Sequence, residues 1–335
     1  MNLFSSIYFL AVIPSIAFLL SSATSLYRKI STKIITFLIL PLYLIGMSRS
    51  SGIDIDNYRR FYDQNSSDIF DPGFSFLVNI SKFLNLGFEG FIFCIGVLNA
   101  FLYIRISKFF QVNYGILLLI LMLHLFIVRD FSQFRVGLAV AIIIYSFTYK
   151  SNLKYLGYLI GLSIHITSAV LLALLVYYDL FLKNKYSFVR ILFPFVCIFI
   201  AGLFIEYLGA IDPRIDIYLN WNREGYGDPV SDFKQPIFIL FLLIMHLYFF
   251  RVKLFSSDLF IFCYLCALLT FISFSEYAIF SYRLSNIAIS LYPITLAKIF
   301  ETNRPSLNKV FAIILFILLV SLRDNSFLII NSIMV

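Results

Sequence analysis

Three short stretches hold residues whose types and spacing suit chemistry. The first, Arg129-Asp130-Phe131-Ser132-Gln133-Phe134-Arg135, sits between two apolar runs and is too short to be a free loop. Its polar groups therefore lie at or just inside a membrane edge, where ionisable side chains are costly and line a cavity, pair with one another or bind a ligand. Arginine grips phosphate oxygens through a planar fork of paired hydrogen bonds, whereas lysine is a point charge. Arg129 and Arg135, with Gln133, thus suit a diphosphate. In a helix Arg129 and Gln133 share a face and Arg135 points elsewhere, so both arginines meet one ligand only across a kink. The bland alternative pairs an arginine with Asp130 or Glu89, or lets it snorkel to lipid headgroups.

The second stretch runs from Ser48 through Asp54-Ile55-Asp56-Asn57-Tyr58-Arg59-Arg60-Phe61-Tyr62-Asp63 to Asp71-Pro72-Gly73-Phe74. Asp54 and Asp56 can act as general base or hold sugar hydroxyls. Their D-x-D spacing also resembles a metal-holding tripeptide, a weak signal on its own. The spacing of Ile, Tyr and Phe predicts a short helix lying on the membrane surface, against the alternative of a solvated loop. The third stretch is His165-Ile166-Thr167-Ser168-Ala169. A lone buried histidine is more often a packing residue than a catalyst, but broken membrane helices present backbone and half-helix ends to anionic groups. Two further places carry chemistry. Arg283, beside Tyr282 in the link that begins at Glu276, completes a phosphate clamp or anchors the interface. The stretch 209–235, with Trp221 among acids and arginines, suits sugar binding.

The elements that must position these residues follow from composition. Of 335 residues, 61% are hydrophobic, 19% aromatic and 13% charged, against about a quarter charged in an ordinary soluble domain. Apolar runs of roughly spanning length recur throughout, so the whole chain, 1–335, reads as one membrane domain with external loops near 48–85 and 209–235. The run from Leu3 to Leu20 lacks a basic leader and is expected to be a retained helix. The net charge of +8 reflects anchoring of cytoplasmic loops rather than nucleic-acid binding. Cys94, Cys197, Cys263 and Cys266 all fall in apolar runs and are expected to be small buried hydrophobes. The Cys263-x-x-Cys266 spacing lacks the polar setting of a metal or redox site.

Charged breaks predict helices near 4–22, 34–47, 86–104, 113–128, 136–149, 155–178, 191–208, 236–250, 258–275, 284–297 and 310–322. With the N-terminus outside, Arg28, Lys29, Arg105, Lys108, Lys150 and Lys154 face the cytoplasm. A simple crossing by 155–178 would put Lys183, Lys185 and Arg190 outside and invert every later loop. The segment is therefore expected to enter and return, with its turn near Ser163, His165 and Ser168, whose side chains satisfy freed backbone groups. The fold class is an all-α polytopic membrane protein of about ten transmembrane helices plus one re-entrant broken hairpin. Lysines then sort to the inner loops and most arginines to the outer face.

The chain resembles the EpsG-like, Wzy-type polymerases of bacterial surface polysaccharides. The match rests on Gly52-x-Asp54-x-x-x-Tyr58-x-x-x-Tyr62 followed by Asp71-Pro72-Gly73-Phe74, then Arg129-x-x-x-Gln133-x-Arg135-x-x-Leu138-Ala139, then His165-x-x-Ser168-Ala169. The second half contributes helix count, a long external loop and Arg283. The resemblance implies glycosyl transfer between undecaprenyl-diphosphate-linked oligosaccharide units at the outer face of the cytoplasmic membrane. It also implies membrane lipid and a chain-length regulator as partners. A base would come from Asp54, Asp56 or His165, and charge for the leaving diphosphate from Arg129, Arg135 and Arg283, with Gln133 beside them. Tyr58 and Trp221 would contact the glycan. An arginine clamp takes the place of a metal ion, so no cofactor is required. Two other classes stay open: a flippase or transporter for lipid-linked oligosaccharide, and a surface-glycan ligase or acyltransferase. A flippase would show an inward cationic path and often an internal repeat, and no repeat is visible.

Overall fold

A computed structural model describes residues 53–64, 71–127, 134–183, 187–211, 234–252 and 258–301, with isolated positions between 36 and 44, Asp216 and Leu254. Every element among the described residues is helical. The helices are α1 Ile53–Gln64, α2 Pro72–Phe83, α3 Phe88–Phe110, α4 Tyr114–Ile127, α5 Phe134–Phe147, α6 Leu153–Ile164, α7 Ala169–Tyr177, α8 Phe188–Leu203, α9 Ile205–Ile211, α10 Lys234–Phe250, α11 Leu259–Ser273, α12 Ala278–Ala288 and α13 Tyr292–Glu301. The helices expected at 4–22 and 310–322 lie outside the described residues.

Membrane character shows in what the helices leave exposed. On α3 the exposed apolar side chains include Phe93, Val97, Phe101 and Ile104, spaced by four or three residues along one face. Its other face buries Phe91, Ile92, Ile95, Leu102 and Ile106. A stripe of large apolar groups facing outward is the surface a lipid-facing helix presents. At 23 residues, α3 is long and apolar enough to cross a bilayer. The remaining apolar helices among the described residues are shorter, including Phe134–Phe147, Leu153–Ile164 and Phe188–Leu203.

The chain divides into two compact units, residues 1–169 with 296–335, and 170–295. In the first, α5 packs on both α3 and α6, and α2 packs on α6. Glycine sets the last two distances. A Cβ on Gly161 of α6 would stand 2.6 Å from Ile143 Cγ1 and 3.2 Å from Ala139 O of α5. A Cβ on Gly73, in the first turn of α2, would stand 2.2 Å from Ser163 Oγ and 2.9 Å from Ser163 O at the end of α6. Backbone-to-backbone approach of this kind is how membrane helices pack tightly without a hydrophobic driving force.

In the second unit α11 packs on α8, α10 and α12. Asp258 caps α11 by accepting from the Phe260 and Ile261 N–H groups at 2.9 and 3.1 Å. The buried ring of His246 in α10 brings Nε2 to 3.2 Å from Asp258 Oδ1.

Several elements depart from the sequence reading. The short helix expected in the stretch from Ser48 to Phe74 is present as α1. The stretch after it, read as loop, contains α2, because Asp71-Pro72-Gly73 starts a helix with Pro at its first position, where a missing N–H is harmless. The run 155–178 is broken at His165, as expected. The run 284–297 begins earlier, at Ala278, and is interrupted by a turn at 289–291. Of the four cysteines, Cys263 and Cys266 are buried while Cys94 and Cys197 are exposed, because they lie on outward faces of α3 and α8 and lipid satisfies them as well as protein does.

Candidate functional site

The helix of 155–178 stops at Ile164 because His165 is extended, with φ −156° and ψ 110°. A single 3₁₀ turn, Ile166–Ser168, then leads into α7. The break is tied internally: the buried Ser168 hydroxyl donates to His165 O at 2.6 Å. A side chain projecting from such a break can reach a neighbouring element that a regular helix would screen.

That element is the start of α2. His165 Nδ1 lies 3.2 Å from Asp71 Oδ2. An ionised carboxylate can only accept, so Nδ1 carries the proton and Nε2 is the basic nitrogen of the ring. The Ile166 N–H donates to the same oxygen at 3.4 Å. Arg135, in the first turn of α5, brings Nη1 to 3.8 Å from it. Histidine, arginine and the N–H at the break thus converge on Asp71. The three side chains keep only 12%, 17% and 12% exposure for His165, Arg135 and Asp71, so their interactions are only partly screened by water.

Burial pushes the Asp71 carboxyl up, but the hydrogen bond from His165, the nearby Arg135 charge and the Ile166 N–H more than offset it. The net result lies below its ordinary value. Asp71 is therefore ionised at neutral pH.

Arg135 rests on aromatic rings. Its guanidinium carbon is 5.8 Å from the Phe74 ring centre and 6.0 Å from that of Tyr58. Tyr58 packs on Phe134 at 4.5 Å, and Phe134 on Phe74 at 5.8 Å and on Phe91 at 6.2 Å. Cation–π contact uses the faces of a guanidinium and leaves its N–H edges for anions. A cation in the first turn of a helix is opposed by the helix dipole, and Asp71 offsets that opposition. Glu89, the partner named for the bland alternative, instead pairs with Arg59 at 2.7 Å.

Of the residues singled out in the sequence, Arg135, His165 and Tyr58 are thereby brought together. Asp54 and Asp56 lie in the first turn of α1, the helix that carries Tyr58. Arg283 lies inside α12, in the second unit, rather than in a link. Arg129, Gln133 and Trp221 lie outside the described residues. Asp71, which the sequence reading quoted in a motif without assigning it a role, stands at the centre of the constellation. Its signal was an acid directly before Pro-Gly in a chain with few acids.

Compared with known protein families, residues 32–331 match the EpsG family. The chain belongs to the EpsG family. No curated protein and no solved structure matches it. EpsG membership gives the chain a role in polysaccharide biosynthesis and the character of a bacterial membrane protein. All the motifs on which the resemblance rests fall within the matched residues.

Proposed function

We propose that this EpsG-family chain is a polymerase that joins oligosaccharide repeat units carried on undecaprenyl diphosphate, at the outer face of the cytoplasmic membrane. The observation that carries the proposal is the convergence of His165 and Arg135 on Asp71. Joining two such units needs a base for the attacking hydroxyl and positive charge for the departing diphosphate. One carboxylate here orients the first and neighbours the second.

In the step so assigned, His165 Nε2 takes the proton of a sugar hydroxyl on the incoming unit. The hydroxyl oxygen bonds to the anomeric carbon of the growing chain. The bond from that carbon to the diphosphate oxygen breaks, and its electron pair leaves with the lipid diphosphate. Arg135 meets the developing charge, helped by Arg129, Gln133 and the N–H groups that open α5. Asp71 holds the imidazole in the tautomer that leaves Nε2 basic. Asp54 and Asp56 remain alternative bases or contacts to sugar hydroxyls. Tyr58 and Trp221 are assigned to the glycan and Arg283 to the diphosphate. No cofactor enters the step, since the arginines supply the charge a metal would. The setting is one membrane domain of about ten crossings and a re-entrant segment at His165, with lipid and a chain-length regulator as partners.

A flippase would use the same arginines to carry a lipid diphosphate across the membrane, and a ligase or acyltransferase would act on finished glycan. Deleting the gene and analysing lipid-linked glycans separates these. Single repeat units accumulating on the outer leaflet support the polymerase. Accumulation on the inner leaflet indicates a flippase, and lipid-linked polymer of normal length indicates a ligase; either overturns the proposal.

A further inference from the structure

A second arginine, at the opposite end of α3 and α5 from Arg135, is held by a hydrogen bond and an aromatic face although it is exposed. Arg105 Nε donates to the buried Thr148 Oγ1 at 2.9 Å. The Arg105 guanidinium carbon sits over Tyr149, 3.7 Å from the ring centre, with Tyr145 at 6.0 Å. Those partners are themselves fixed. The Tyr145 and Tyr149 hydroxyls share a hydrogen bond at 2.6 Å, and Thr148 Oγ1 donates to Tyr145 O at 2.6 Å. Along α5 this cluster lies about 15 Å (Tyr145) to about 20 Å (Thr148) of helix rise from Arg135.

Anchoring a helix end in the cytoplasm needs only a flexible point charge, and lysine supplies that. Here an arginine has its Nε and one face committed to protein, which orients the two terminal nitrogens as a fork. Lys108 follows one turn later on the same helix, and Lys150 comes two residues after Thr148. Among the described residues, none of these three cations pairs with a carboxylate. Beside Arg105 on α3, Phe101, Ile104 and Phe109 are exposed apolar side chains. A fixed fork and two lysines above an apolar strip match the outline of one class of molecule, a phosphate headgroup with acyl chains.

We propose that Arg105, Lys108 and Lys150 bind the phosphodiester headgroup of an anionic phospholipid in the leaflet at this end of α3 and α5, with its acyl chains along Phe101 and Ile104. This site is independent of the polymerase reading. It makes an anionic lipid a bound structural partner of the α3 and α5 ends.

The test is native mass spectrometry of the purified full chain with phosphatidylglycerol or phosphatidylcholine. The wild type is expected to retain phosphatidylglycerol in preference to phosphatidylcholine, and Arg105→Gln to weaken that retention about tenfold, the scale of one charge-assisted hydrogen-bonded contact. Arg105→Lys should fall nearly as far, since it keeps charge without the fork. Equal retention by wild type and Arg105→Gln overturns the site. So does displacement of bound lipid by soluble glycerol 3-phosphate at the same concentration, which would mark a site for free phosphate. Should Arg105→Gln not fold, the exposed pair Lys108→Gln with Lys150→Gln reads the same property: undiminished preference for phosphatidylglycerol in that variant overturns the proposal.

Discussion

Replacing Asp71 with asparagine tests the proposed catalytic arrangement most directly, because it keeps the shape and removes only charge and acceptor identity. Three groups lose a carboxylate partner: His165 Nδ1 at 3.2 Å, Ile166 N–H at 3.4 Å and Arg135 at 3.8 Å. At an effective dielectric of 20, two unit charges about 4 Å apart attract by about 4 kcal/mol before desolvation is subtracted. Partial exposure and the loss of that desolvation cost reduce the net effect on stability to about 1–2 kcal/mol. The effect on the reaction is larger, since an amide can turn its NH₂ towards His165 and select the wrong tautomer. A positioned base is worth about 10²–10⁴ in rate, and most of that should go. The assay is formation of polymer ladders from lipid-linked repeat units in membrane vesicles, with insertion checked by immunoblot and Asp71→Glu as the charge-retaining control. The carboxyl of Asp71 titrates below its ordinary 3.8 in the folded chain. Its ionised form therefore adds stability above that value, and the addition disappears as pH falls from 3.8 through the lower folded value. Wild type should accordingly be more thermostable than Asp71→Asn at neutral pH, with the difference beginning to shrink near about pH 4 and vanishing only once pH has fallen through the lower folded value. Wild-type ladders from a correctly inserted Asp71→Asn chain would refute the role given to this carboxylate.

Three further outcomes follow from the same geometry. Arg135→Lys keeps a charge near Asp71 but loses the fork and the aromatic seat, so polymerisation should drop at least about tenfold with insertion unchanged; full polymer length in this variant would remove Arg135 from diphosphate binding. Gly73→Ala puts a Cβ 2.2 Å from Ser163 Oγ and under 3 Å from the Ser163 backbone, and should lower thermal stability by about 1–3 kcal/mol while also slowing polymerisation, because Asp71 is pushed away from His165; an unchanged melting temperature would contradict the close approach of α2 and α6. If the segment broken at His165 is re-entrant, the exposed position Lys183, changed to cysteine, should react with impermeant thiol reagents only after the membrane is opened, and labelling from outside the intact cell would overturn the re-entrant path.

How much of this was legible in the sequence depends on whether the signal was local. The break at His165 was legible because the charge pattern around Lys183 and Arg190 did not sort without it, and the structure breaks the helix there. The helix Ile53–Gln64 was legible from its apolar spacing. The helix Pro72–Phe83 was missed because polar residues on both sides made it look like part of a loop, although Asp-Pro-Gly is itself a helix start. The turn at 289–291 was missed because the apolar run across it was read as continuous, although Pro293, at the second position of the helix that follows, is a helix-boundary signal.

Asp71 illustrates a different limit. Asp258 and Asp71 both stand immediately before an apolar helix, and local rules read both as N-caps. Asp258 behaves so, taking two N–H groups of its own helix. Asp71 does not: its side chain makes no cap hydrogen bond to α2 and instead accepts from His165 and Ile166, 94 and 95 residues away. Capping by Asp71 would contribute about 1 kcal/mol, and the chain forgoes it. Pro72 makes the loss tolerable, since proline brings no N–H to the first helical position and pre-sets its φ. The sequence around Asp71 thus starts the helix by the backbone of Pro72 and leaves the carboxylate to another partner. A proline directly after an acid, opening a helix that needs no cap, is the local trace of a carboxylate committed elsewhere. In this chain that commitment joins the histidine of a broken helix to an arginine seated on aromatic rings.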